Sequence, residues 1–117
     1  MQVILSIDAG HTAEHTVNDL LIADKLLKNG GLIFLDDYYN PHWPGVHEGF
    51  SRYMIFNRAR IALLLCIGNK LLLTTISYHE IFYNEFIEHL LGKPHIRNLT
   101  KYVTMHGYDV IAINLRQ

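Results

Sequence analysis

The chain has 117 residues, of which half are hydrophobic and 18% are charged, and its formal net charge is −1. This composition excludes a disordered chain, which combines low hydrophobicity with high net charge, and the length predicts a single domain over residues 1–117. No run of Lys or Arg is present to follow a phosphate backbone, so we do not expect nucleic-acid binding. Because Cys66 is the only cysteine, an internal disulfide is excluded.

The hydrophobic residues are not arranged for a membrane. The longest apolar run, Ile61–Ile67, is far shorter than the ~20 residues that a spanning helix needs. Met1 leads into Val3–Leu5 without a basic region, so we do not expect a signal peptide. The sequence therefore predicts a cytoplasmic domain without a membrane partner.

The first third of the chain predicts a strand, a helix and a strand. Gln2–Ile7 is short and apolar at nearly every position, as buried parallel strands are. Apolar residues recur at helical spacing over Thr16–Lys28, and Asn29–Gly31 ends that helix. Leu32–Leu35 is a second apolar strand. Short connections between these elements favour a right-handed βαβ unit.

The remaining chain predicts further helices and strands. Pro44 suits the first turn of a helix. Ile61–Ile67 is an apolar segment, and the turn Gly68–Asn69 separates it from a strand over Lys70–Ile76. The later elements are predicted as a helix from the capping pattern Ser77-x-x-Glu80 to Leu91, a shorter helix after Pro94 that carries Ile96, Leu99 and Val103, and a final strand over Val110–Leu115.

Acidic residues follow the first two predicted strands. Asp8 comes directly after one strand, and Asp36 and Asp37 come directly after the next. In parallel sheets these ends share the edge where ligands bind. Together with His11, such carboxylates suit Mg²⁺ or Ca²⁺. The alternative is that Asp8 caps the loop and that Asp36 and Asp37 are solvated turn residues.

The order of several short motifs resembles the second half of a class I S-adenosylmethionine-dependent methyltransferase. The motifs are Ser6–His11, Asn18–Leu20, Leu26–Gly31, Phe34–Tyr38, Asn40–Val46 and Gly68–Leu71. Within that family the segments are most similar to the macrocin O-methyltransferase-like enzymes. The resemblance extends over about Val3 to Leu115.

The resemblance implies half of a Rossmann-like sheet, with about four strands and flanking helices. Gln2–Ile7 would be the fourth strand of the family's seven, Leu32–Leu35 the fifth and Lys70–Ile76 the sixth. Val110–Leu115 would be the seventh, antiparallel and inserted between the fifth and sixth.

The resemblance also implies a chemistry, which is metal-assisted O-methylation with S-adenosylmethionine as methyl donor. Asp8, Asp36 and Asp37 take the positions of the metal ligands, and His11 is a candidate general base or a contact to the loop backbone. Three aromatic residues would line an acceptor pocket or else pack a loop over the core: Tyr38, Tyr39 and Trp43.

The sequence departs from the family where the cofactor binds. The family holds S-adenosylmethionine with a Gly-rich loop after its first strand, and this chain contains no such segment. One interpretation is the C-terminal part of an O-methyltransferase, active only with an N-terminal half. Another is a non-catalytic, self-associating methyltransferase-like domain. A third is an unrelated small metal-binding α/β protein.

The first predicted strand is expected to lie at an edge of the sheet. The stretch Val3–Ile7 contains no Lys, Pro or bulge signal of the kind that protects exposed edges. We therefore expect a homodimer or higher oligomer with this strand in or near the interface, unless an N-terminal half covers it.

Overall fold

The computed structural model describes residues 4–7, 12–38, 42, 44–56 and 60–114. Within these ranges the chain forms six strands and four helices. In chain order they are β1 (Ile4–Ile7), α1 (Ala13–Leu26), β2 (Leu32–Leu35), α2 (Pro44–Phe56), β3 (Ile61–Ile67), β4 (Lys70–Thr75), α3 (Ile76–Leu91), α4 (Pro94–Arg97), β5 (Thr100–Met105) and β6 (Tyr108–Ile113).

The strands form one mixed sheet in the order β1-β2-β4-β3-β6-β5. β1 and β2 are parallel, and so are β3 and β6. β4 is antiparallel to both of its neighbours, and β5 is antiparallel to β6. The carboxyl ends of β1, β2, β3 and β6 therefore lie at one edge of the sheet. The expected α/β class with a Rossmann-like arrangement is confirmed, with six strands where about four were predicted.

Helices cover both faces of the sheet. On one face, α1 and α2 pack with a core that includes Leu20, Ile33 and Phe50. On the other face, α3 and α4 pack against a second core around Leu64, Leu72 and Ile111. The central strands β3 and β4 are buried along most of their length because both faces are covered. This explains the continuous apolar run at Ile61–Ile67, which a two-sided core requires.

The inserted antiparallel strand is present, but it is a different segment from the one predicted. β4, at Lys70–Thr75, lies between β2 and β3, whereas the final strand β6 lies beyond β3 and parallel to it. The cause is the two-residue turn Gly68–Asn69, which joins β3 to β4 as a tight hairpin. Such a turn permits only antiparallel pairing. The predictions that Val110–Leu115 is the inserted strand and that Lys70–Ile76 is the sixth strand are therefore both wrong.

The segment after Pro94 also differs from the prediction. α4 ends at Arg97, and Val103 belongs to strand β5 instead of to a helix. The reason lies in the turn that follows β5, where both His106 and Gly107 have positive φ, 51° and 82°. Two such residues match the turn that suits a tight hairpin. β5 is thereby paired with β6 from Met105↔Tyr108 to Thr100↔Ile113.

Helix starts are shifted by a few residues from the predicted ones. Thr12 caps α1, since its side chain accepts a hydrogen bond from the backbone N–H of His15. α3 begins at Ile76, before the predicted capping pattern at Ser77. The Thr75 hydroxyl makes no cap there and instead accepts a hydrogen bond from the Gly30 N–H at 3.0 Å. That bond ties the end of β4 to the turn before β2.

Candidate functional site

The acidic pair Asp36-Asp37 lies directly after β2, at the edge that collects the carboxyl ends of the parallel strands. Asp36 is joined to the end of β1, because its backbone N–H donates a hydrogen bond to the Ile7 carbonyl oxygen at 3.2 Å. Both carboxylates are half-buried. The predicted position of these two residues at a shared strand edge thus agrees with the topology.

Hydrogen bonds fix the geometry of the acidic pair. The backbone N–H of Asp37 donates to Oδ1 of Asp36 at 2.9 Å. The side-chain amide of Asn69, in the β3–β4 turn, donates to Oδ1 of Asp37 at 3.3 Å. The Asn69 carbonyl oxygen accepts from the backbone N–H of Tyr38 at 2.9 Å. The turn after β3 therefore holds the loop after β2 in place.

The backbone at Asp37 has a conformation that is rare for residues with a side chain. Its φ is 61°, in the left-handed region, which costs an L-residue roughly 1–2 kcal/mol. Asp tolerates this region better than most residues because its short polar side chain bonds locally. Observed strain of this kind is concentrated at functional sites.

The other predicted site residues on the loops lie outside the described residues. These are Asp8, His11, Tyr39 and Trp43. Among the described residues, no group of three or more His, Cys, Asp or Glu side chains converges in a way that could hold a metal ion. Of the three predicted carboxylate ligands, only Asp36 and Asp37 lie within the described residues. The metal site therefore stays a prediction.

Tyr38 is a buried residue behind the acidic pair. Its exposed fraction is 3%, and its ring lies 4.6 Å from the ring of His47 and 5.6 Å from that of Phe50, in the latter case edge to face. Burial, reinforced by the nearby Cys66, raises the pKa of the Tyr38 hydroxyl to about 12. The phenol is therefore neutral at physiological pH, and its role as an acceptor-pocket residue stays a prediction.

His47 and His106 lie in this aromatic cluster, although neither was predicted from the sequence to belong to the site. The His106 ring, in the β5–β6 turn, lies 5.6 Å from Phe50 and nearly perpendicular to it. Burial, and to a lesser extent His47, lowers the pKa of His106 below its ordinary value. No sequence signal links the two histidines, since the hairpin that brings His106 to α2 was itself not predicted.

A cavity of about 750 Å³ opens at the same end of the sheet, within the size range of small-molecule sites. Gly68 borders it, next to the Asn69 that holds Asp37. The other lining residues come from the ends of β3 and β6 and from the segment that enters β5: Cys66, Asn98, Leu99, Thr100, Lys101, Ala112, Ile113 and Asn114. Tyr38 is not among them. The cavity was not predicted from the sequence, because no strand was predicted at Thr100–Met105.

Residues 3–38 match the model of a methyltransferase domain. The match covers β1, α1, β2 and the acidic pair, which is under a third of the chain, and it supports a methyltransferase-like function for this part. No curated protein and no solved structure gave a significant match.

The described helices carry no membrane span. None of them is both long enough and apolar enough to cross a bilayer.

Proposed function

We propose that this chain supplies the metal- and acceptor-binding edge of an S-adenosylmethionine-dependent O-methyltransferase. The observation that carries the proposal is the methyltransferase-domain match over residues 3–38, which ends on Asp36-Asp37-Tyr38. Two features support it. The strand order β1-β2-β4-β3 contains the inserted antiparallel strand that the resemblance implies. The acidic pair lies at the edge where open α/β sheets bind ligands.

Carboxylate oxygens are the ligands that a hard divalent cation such as Mg²⁺ or Ca²⁺ prefers. Asp36 and Asp37 would hold it, with Asp8 as the proposed third ligand. When bound, the cation supplies the Lewis acidity that lowers the pKa of an acceptor hydroxyl. Asn69 keeps Asp37 oriented through its hydrogen bond. We propose His11 as the base that takes the hydroxyl proton.

The residues of this chain do not fit the methyl donor. A Gly-rich loop lets the backbone approach a nucleotide cofactor closely, and no segment of the 117 residues has that composition. We therefore expect the isolated chain not to bind S-adenosylmethionine at micromolar concentration in equilibrium dialysis. Methyl transfer would need a polypeptide that carries the loop. A stoichiometric site with a Kd of about 1 μM or lower would contradict this part of the proposal.

The metal site can be tested by thermal unfolding. Saturating Mg²⁺ or Ca²⁺ should raise the Tm, since a ligand that binds only the folded state stabilises it, by about 2.7 kcal/mol at 100 times its Kd. Replacing Asp36→Asn and Asp37→Asn together should abolish the rise. Asn is a suitable replacement at residue 37, because it also tolerates a positive φ.

A matched control is the double change Glu85→Gln and Glu88→Gln in α3. This control removes the same amount of charge from two exposed positions of α3, the helix on the other face of the sheet from α1 and α2. It should leave the metal-dependent rise in Tm intact. An equal rise in the Asp36/Asp37 variant would place the cation elsewhere. No rise in the unchanged protein would remove the support for metal assistance.

A second candidate function is a non-catalytic, self-associating methyltransferase-like domain. One observation favours it. β1 is the terminal strand of the sheet, and no other described strand pairs with its outer side. A chain that dimerises and shows no metal-dependent rise would favour this candidate over the first.

A further inference from the structure

An exposed apolar surface lies beside the terminal strand β1. Ile22 and Leu26 on α1 are 57% and 61% exposed, although both are large hydrophobic residues. Ile22 and Leu26 also border a groove whose other wall is formed by Leu5, Ser6 and Ile7 of β1. The helix and the strand thus present one continuous surface.

The outer side of β1 has backbone groups that point away from the sheet. The Ile7 carbonyl oxygen accepts a bond from Asp36 at 3.2 Å, so Ile7 faces β2. Along a parallel strand, alternate residues direct their N–H and C=O groups to opposite sides. Ser6 and Ile4 therefore direct theirs outward. Among the described residues no strand accepts them.

The charges along α1 favour a second copy of this chain as the occupant. Asp19 borders the groove beside β1, whereas Lys25 is in the last turn of the helix and Lys28 follows it. The other two acidic residues of the helix, Glu14 and Asp24, are paired within the chain with Arg52 and Arg60. An identical helix that runs antiparallel brings Asp19 of each copy towards the basic end, at Lys25 and Lys28, of the other. Antiparallel packing also opposes the two helix dipoles favourably.

We propose that β1 and α1 form the interface of a homodimer with two-fold symmetry. β1 pairs antiparallel with β1 of the second copy around an axis at Leu5, perpendicular to the sheet. In that register the outward groups of Ile4 and Ser6 in one copy bond to those of Ser6 and Ile4 in the other.

The same axis brings the two α1 helices together. Because it leaves them on the same face of the sheet, they lie side by side and antiparallel, with Ile22 and Leu26 between them. Paired strands are ~4.8 Å apart, and packed helices are ~8–10 Å apart, so one axis serves both contacts. The result is one continuous sheet across two subunits. This inference goes beyond the proposed activity and does not rest on it. At the β1 edge, the homodimer and an N-terminal half that covers β1 exclude each other.

The interface can be tested with matched pairs of exposed residues. Sedimentation velocity should show the unchanged protein as a dimer at micromolar concentration. Replacing Ile22→Glu and Leu26→Glu together should raise the dimer Kd at least ~10-fold, as for residues at the centre of an interface. The control is Ile55→Glu with Phe56→Glu on α2, two residues that are exposed to a similar degree, 66% and 80%, and should leave the dimer unchanged.

Circular dichroism establishes that each variant is folded. A monomeric unchanged protein at high micromolar concentration would overturn the proposal. A dimer that the α2 control weakens as much as the α1 variant does would also overturn it, and so would a requirement for a different polypeptide at this surface.

Two further measurements separate this arrangement from other dimers. Lys25→Glu should weaken the dimer by placing like charges together, and Asp19→Lys added to it should restore part of the lost affinity. The Ser6 amide should exchange slowly with solvent in the dimer and quickly in the Ile22/Leu26 variant. Charge reversal without effect, or fast Ser6 exchange in the dimer, would contradict antiparallel pairing of β1 and α1.

Discussion

The two ends of the sheet differ in how their outermost strands meet solvent. β5 carries the exposed lysine Lys101 and three further polar or amphipathic residues, Thr100, Tyr102 and Thr104, that are at least partly exposed. The exposed fraction of Tyr102 is 51%. β1 has the sequence Ile-Leu-Ser-Ile, with no charge. A lysine on an edge strand opposes pairing with another chain because pairing would bury its charge. The comparison indicates that the β5 end is protected against association, whereas the β1 end is suited to it.

The two ends also differ in how their elements are attached. At the β1 end, α1 and α2 are in close contact through Gly49, where an added Cβ would lie 2.6 Å from the Cβ of Thr16 and 2.7 Å from the Ala13 carbonyl oxygen. At the β5 end, attachment depends on a hairpin turn and on aromatic contacts of His106. Substitutions at each end should therefore have effects of different size.

The largest effect is expected for Gly49→Ala at the β1 end. The methyl group has no room against the backbone of α1, so the helices must separate. Overpacking of this kind costs about 1–3 kcal/mol, measured as a change in the free energy of unfolding in urea. Gly92→Ala is the control, because its added Cβ would meet only the His89 carbonyl oxygen at 3.6 Å. Equal losses in the two variants would show that the α1–α2 contact is not tight.

A smaller effect is expected for Tyr53→Phe, which removes a second link between α1 and α2. The Tyr53 hydroxyl donates to Oδ2 of Asp24 at 2.8 Å, and Arg60 pairs with the same carboxylate at 3.2 Å. Burial, together with this hydrogen bond, raises the pKa of Tyr53 far above its ordinary value. A hydrogen bond to a charged group contributes about 1.5–3 kcal/mol, and we expect a loss near the lower figure in urea unfolding. Tyr102→Phe on exposed β5 should cost almost nothing, and a comparable loss there would contradict the comparison.

The smallest effect is expected at the β5 end, as a pH dependence of stability. Partial desolvation of the His106 ring against Phe50 lowers its pKa in the folded protein, so the unfolded chain binds the proton more readily. Stability is therefore full above the ordinary histidine pKa of 6.5 and declines as pH falls below it towards the folded value. Asn is a suitable replacement for His106, because it also tolerates a positive φ. Between about pH 7.5 and about pH 5.5, the Tm of the His106→Asn variant should fall by less than the Tm of the unchanged protein. A larger loss in the variant would reverse the assigned sign.

Sequence patterns predicted the first third of the fold closely. Leu32–Leu35 and Pro44 were placed at the observed element boundaries, and the βαβ unit has the predicted parallel pairing. These features depend on residues near one another in the chain, such as the apolar runs and the Asn29–Gly31 turn. The position of Asp36 and Asp37 at a strand edge follows from the same local pattern.

Distant contacts decided the remainder. The segment at Leu99–Met105 contains apolar residues at spacings that fit a short helix, yet it forms β5 because it pairs with β6. Asn69 reaches Asp37 only because β3 and β4 form a hairpin beside β2. The cavity at the ends of β3 and β6 has the same origin, and so does the meeting of His106 with Phe50 on α2.

The sequence by itself determined the class of fold, the βαβ unit and the acidic pair, since these depend on local periodicity and on residues adjacent to a strand end. The tertiary structure decided which strand is inserted, which residues line the cavity and which side of α1 stays exposed beside β1. Strand pairing is a choice among partners far apart in the chain, and its free energy comes from burying both faces of the sheet. No single segment contains that information.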